Sequence, residues 1–167
     1  MLDTNHTPRV SDMRLALKSV FAIAVLGLVT ACSTGPKKRV NPPRASIQQL
    51  AVQADGSWQA SIRLQNFSSV STAFSSVDAK LVIGGQDAGR IVLNPGISVG
   101  PESADVVLAR LVPSLGAKLA VASALSSGQS TAYSLSGTIA TSDPKGSYHF
   151  SYDSTLNPAP GLSGVMR

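Results

Sequence analysis

From Trp58 to Gln65 apolar and polar residues alternate without a break, with Trp58, Ala60, Ile62 and Leu64 in one set and Gln59, Ser61, Arg63 and Gln65 in the other. A period of two belongs to extended backbone, whose successive side chains point to opposite faces, and it predicts a strand buried on one side. A strand of this kind cannot stand alone. Its apolar face needs a second layer, and the rest of the chain must supply it.

The same signature recurs in short runs separated by turn residues. Ile47, Leu50 and Val52 make a first strand, reversed by Ala54-Asp55-Gly56-Ser57. Val77, Ala79, Leu81 and Ile83 alternate with Asp78, Lys80 and the less polar Val82, and Gly84-Gly85-Gln86-Asp87 turns the chain into a partner strand at residues 90–93. Pro95-Gly96 closes that hairpin. Residues 104–112 form another strand, ended by Pro113, which has no N–H for a ladder. Residues 114–125 change period: Leu115, Leu119, Ala122 and Leu125 recur at three-to-four spacing, Ser114 can cap and Gly128 follows, so a short helix is predicted. Tyr133, Leu135 and Ile139, a turn at Asp143-Pro144-Lys145-Gly146, and Tyr148, Phe150 and Tyr152 complete the pattern. About seven strands and one helix predict an all-β, immunoglobulin-like antiparallel β-sandwich over residues 45–156. Residues 157–167, with two prolines and two glycines, read as a mobile tail.

The N-terminus has a different character. Residues 20–29 are apolar throughout, about half as long as a spanning helix, and Arg14 and Lys18 precede them, the form of a signal-peptide core. Met13 opens a compact signal peptide by itself, so residues 1–12 read as a start-site misassignment. Val29-Thr30-Ala31-Cys32 then resembles the lipobox of bacterial lipoproteins: an aliphatic residue, small residues, and a cysteine whose sulfur accepts a diacylglyceryl group. The resemblance implies a signal peptide over residues 1–31, a lipidated mature terminus at Cys32 and, because Ser33 stands where an aspartate would favour the inner membrane, an outer-membrane anchor facing the periplasm. Cys32 is the only cysteine of the chain, so no disulfide can form within it.

The net charge of +5 is distributed unevenly. From Ala45 onward seven basic residues meet seven acidic ones, which argues against a nucleic-acid partner. The excess sits in Lys37, Lys38, Arg39 and Arg44 and in the signal region. Residues 32–44, with three prolines beyond the cysteine, read as a flexible basic tether, either resting on anionic headgroups or serving as a solvated spacer.

The order of features over residues 45–156 resembles the LEA type 2 family, also called water-stress-and-hypersensitive-response domains. The residues that carry the likeness are Leu64-Gln65-Asn66-Phe67 at the end of an early strand, the hairpin Leu81-Val82-Ile83-Gly84-Gly85, the short helix, and Tyr133-Ser134-Leu135-Ser136-Gly137. The family's frequent proline after the asparagine is Phe67 here. The resemblance implies a non-catalytic sandwich associated with desiccation and other stresses.

The sequence offers two chemical alternatives. Gly96-Ile97-Ser98-Val99-Gly100 fits G-x-S-x-G, with Asp143 and His149 following in hydrolase order, but Pro101 and Glu102 lead into a strand instead of the helix a nucleophile elbow requires. His149 is the sole histidine after Cys32, so no histidine-based metal cluster can be assembled from this part of the chain. The expectation is a non-enzymatic, lipid-anchored envelope protein with no cofactor or metal beyond the lipid on Cys32, its partners being the membrane and envelope proteins or lipids, in an unassigned oligomeric state. The alternatives are a carrier holding a lipid or other apolar ligand between its sheets and, third, a serine hydrolase acting through Ser98.

Overall fold

The computed structural model describes Gly35 and residues 37–167; the expectations for the signal segment, the lipobox and Cys32 lie outside the described residues. β1 (Arg44–Val52) and β2 (Trp58–Gln65) pair antiparallel from Arg44↔Gln65 to Val52↔Trp58. In the turn between them the Asp55 carboxylate accepts from the Ser57 backbone N–H at 3.0 Å and from its hydroxyl at 2.6 Å, and Gly56 takes a φ of 75°. β3 (Thr72–Ile83) and β4 (Gln86–Leu93) are joined by Gly84 and Gly85, with φ of 57° and 73°, the two positive values of a tight turn matched to strand twist. The short β5 (Ile97–Val99) pairs with the start of β3, and β6 (Ala104–Leu111) pairs with β2. A helix, α1 (Leu115–Ser127), crosses to the second sheet, where β7 (Thr131–Asp143) and β8 (Lys145–Leu156) form a long hairpin.

The sheets are β6-β2-β1-β9 and β4-β3-β7-β8, where β9 is Val165–Met166 and β5 adds to β3. In immunoglobulin lettering the long strands read A, B and E in one sheet and C′, C, F and G in the other, so the expected sandwich is the observed one. All seven expected strands are present; the two additions, β5 and β9, are too short for periodicity to reveal. Trp58, Phe74, Leu50, Ile62, Leu64, Leu81, Ile83, Leu135, Ile139, Leu156 and Met166 fill the space between the sheets, each below 2 % exposure. Each such side chain contributes roughly 1.5–3 kcal/mol relative to leaving it in water.

One expectation is filled in and two are corrected. First, the helix forms where expected, capped by the Ser114 hydroxyl accepting from Ala117 N–H and closed by Gly128 at φ 66°, and its buried residues are Ala117, Val121 and Ala124. Leu115 and Leu119 face outward, 73 % and 63 % exposed, and Ala122 is exposed as well. Second, residues 157–167 are folded back instead of mobile: Asn157 and Arg167 exchange backbone hydrogen bonds at 2.6 and 2.8 Å, Met166 pairs with Leu50, and its side chain is fully buried. Third, the tether ends earlier than residue 44. Arg39 and Asn41 are bonded to the loop after β2, Pro43 is buried, and the folded unit begins at Lys38.

Candidate functional site

The end of the sandwich where the chain enters is built around Asn66, 1 % exposed at the exit of β2. Its amide nitrogen donates to the carbonyls of Val70, Val99 and Gly100 at 2.8, 3.1 and 2.9 Å, and its oxygen accepts from Ser68 N–H at 2.8 Å. This side chain ties the loop after β2 to β5. That loop in turn holds the incoming segment: Arg39 N–H donates to Ser69 Oγ at 2.8 Å, Asn41 N–H to Ser68 Oγ at 3.0 Å, and the Asn41 amide to Phe67 O at 2.7 Å.

This docking uses two of the four basic residues expected of the tether. The Arg39 guanidinium lies 3.5 Å from the Glu102 carboxylate. Arg44 stands over the rings of both Phe67 and Tyr152, 5.0 Å from each centroid, a favourable placement of a cation on two π faces. Lys37 and Lys38 are exposed at the point where the chain reaches the domain.

The hydrolase residues are not brought together. Ser98 is exposed in the middle of β5, paired with Ala73, and the chain continues into a turn and β6 instead of a helix. Asp143 lies opposite Ala73 on the other side, but His149 pairs with Thr138, five residues away along β7, about 17 Å at strand spacing. The His149 ring contacts Thr138 Oγ1 through Nδ1 at 3.2 Å. A proton relay needs hydrogen-bond reach between such groups, which this register denies.

The outer face of the β4-β3-β7-β8 sheet carries an open depression of about 450 Å³ lined by Asp78, Lys80, Asp87, Arg90 and the Ser136-Gly137-Thr138 stretch. Its charges cancel in pairs. Arg90 binds both oxygens of Asp78 at 2.5 Å, and Lys80 reaches Asp87 at 2.9 Å. The Arg90 hydrogen bonds hold the Asp78 carboxyl below its ordinary range, and Lys80, followed by Gly89 N–H, does the same for Asp87. Carboxylates held ionised by neighbouring cations are poor proton acceptors, and a locally neutral face offers no net attraction to an ionic ligand. Exposed pairs of this kind add little to stability.

At the opposite end Val112, Leu115 and Leu119 are 78 %, 73 % and 63 % exposed, while the second half of the helix and residues 158–164 line an open groove of about 680 Å³. The spacing of Leu115 and Leu119 marks a helix in the sequence but not which of its faces is buried. Sequence reasoning missed the docked segment after Lys37, for which the only sequence signal is the pair of hydrogen-bonding residues Asn41 and Asn66 flanking the first two strands.

No protein-family model matches this chain, and no curated protein matches it. Among solved structures it is similar to a crystal structure of a protein from Archaeoglobus fulgidus, 17% identical over 72% of this chain and 98% of that one, with a TM-score of 0.38. It is also similar to the solution structure of a protein from Arabidopsis thaliana, 15% identical over 73% of this chain and 80% of that one, with a TM-score of 0.46. Likeness at this level leaves ligands and partners untouched; the strand pairing of this chain by itself makes it an antiparallel β-sandwich with one short helix.

Proposed function

We propose that the protein is a lipoprotein of the bacterial envelope, acylated at Cys32 and held on the periplasmic face of the outer membrane, whose LEA type 2-like sandwich acts without catalysis as a stress-protective or interaction module. The observation that carries this reading is Val29-Thr30-Ala31-Cys32 directly after a short apolar run preceded by Arg14 and Lys18. Two or more acyl chains on one residue anchor stably where a single chain does so marginally. The docking of Arg39 supports a short leash: the seven residue steps from Cys32 to Arg39 span at most about 25 Å when fully extended.

The carrier reading draws no support from the interior, which the chain's own side chains fill. The hydrolase reading lacks its constellation. A deletion strain is expected to lose viability under drying, osmotic or detergent stress and to regain it with the wild-type gene but not with Cys32→Ala. Unchanged survival of the deletion, or full rescue by the unanchored variant, would contradict the proposal.

A further inference from the structure

β8 is the last strand of its sheet, and among the described residues no strand pairs with its outer edge. Exposed edges are normally blunted by proline, bulges or inward charges, because their unpaired N–H and C=O groups template another strand. β8 has none of these, its charges being Lys145 at its start and Asp153, both on the outward row. It is 12 residues long, contains no proline, and runs in unbroken register from Thr131↔Leu156 to Ser142↔Lys145. Its inward row, Tyr148, Phe150 and Tyr152, is only half-buried, whereas Ile139 and Leu135, opposite the two tyrosines in β7, are buried. Its outward row is Ser147, His149, Ser151 and Asp153, all exposed. Across the sandwich, β9 pairs only with Leu50 and Ala51 of β1, and the Arg44 guanidinium stands over the Tyr152 ring.

We infer that this edge is an interface for a second copy of the same chain, joined β8 to β8 antiparallel about a two-fold axis through Ser151. Antiparallel neighbours point to the same side of a sheet, so like rows must meet. With Ser151 opposite its symmetry mate, Phe150 faces the mate's Tyr152 on the inner side and His149 faces the mate's Asp153 on the outer side, each pair occurring twice. Aromatic pairs and imidazole–carboxylate pairs are favourable cross-strand neighbours, and no like charges oppose one another in this register. The His149 ring engages Thr138 through Nδ1, which leaves Nε2 for the carboxylate of the mate. A register centred on His149 would instead set two imidazoles face to face. The axis is perpendicular to the sheet, so the two chains enter their domains at the same height along it, and both can be held by one membrane lying parallel to the sheets.

The test uses the full chain carrying Cys32→Ala, so that an introduced thiol is the only one. Under mild oxidation Ser151→Cys is expected to give a disulfide-linked dimer, and a mixture of differently tagged His149→Cys and Asp153→Cys chains is expected to give the mixed dimer. Ser147→Cys should stay monomeric, because its symmetry mate lies about 27 Å away in this register. Ser151→Cys remaining monomeric, forming disulfides only with other proteins, or crosslinking no faster than Ser147→Cys would overturn the inference.

Discussion

Tyr133 shows how one side chain can serve two sheets. It belongs to β7, is 4 % exposed, and its hydroxyl accepts from Ile47 N–H at 3.1 Å and lies 3.4 Å from Ile47 O, where the register of β1 shifts between Ile47 and Gln49. The backbone groups that the irregularity turns away from the ladder are thus satisfied from the opposite sheet. Burial pushes the Tyr133 phenol above its ordinary range, and the bond to Ile47 only partly offsets this. A group whose folded pKa is raised contributes stability that is complete below the unfolded pKa and is lost as pH rises through the folded one. Tyr133→Phe is therefore expected to lower stability by about 1–2 kcal/mol at neutral pH in urea unfolding. Wild-type stability should fall above about pH 10, more steeply than that of the variant. Parallel pH profiles for the two proteins would refute this account of Tyr133. Asn66 teaches a related lesson: its type and its place after a strand mark a turn in the sequence, but its partners at Val99 and Gly100 lie over thirty positions downstream and only the fold brings them near.

Strands were legible and the helix face was not, for one physical reason. In β2 polar residues alternate with apolar ones, so only one face can be buried. In α1 alanine, valine and leucine surround the axis, and Lys118 is its only charge, so periodicity does not single out a face. Closeness decides instead. A Cβ at Gly84 would stand 2.8 Å from Ala120 Cβ, and one at Gly116 would stand 2.7 Å from Gln86 Oε1, so the helix lies against the hairpin at a spacing that admits small side chains. Ala117, Val121 and Ala124 meet the core and Leu125 packs partly against it, while Leu115 and Leu119 are turned out. Ala117→Leu is accordingly expected to destabilise by about 1–3 kcal/mol through overpacking, whereas Leu119→Ser should change stability by less than about 0.5 kcal/mol. Thermal or urea unfolding of the two variants separates the faces, and the reverse ranking would show that the leucine face is the packed one.

At the scale of the whole molecule, the fold class followed from alternation and turn chemistry, while both ends of the folded unit were misjudged. Prolines, glycines and basic residues at 35–44, and prolines and glycines beyond residue 156, have no periodicity, which reads as freedom. Arg39 and Asn41 are instead held by bonds to Ser69 and Ser68, and the last residues by backbone pairing with Leu50 and Val52. The result is a domain folded from Lys38 onward, only seven residue steps separating Cys32 from the docked Arg39. The proposed function holds this domain close to a membrane surface by lipid. The most direct test of that claim is the intact mass and membrane fractionation of the protein expressed in a bacterial envelope beside Cys32→Ala. The account predicts a wild-type chain that begins at Cys32, carries acyl mass and sediments with the outer membrane, and a variant that does none of these; two soluble, unacylated proteins would contradict it.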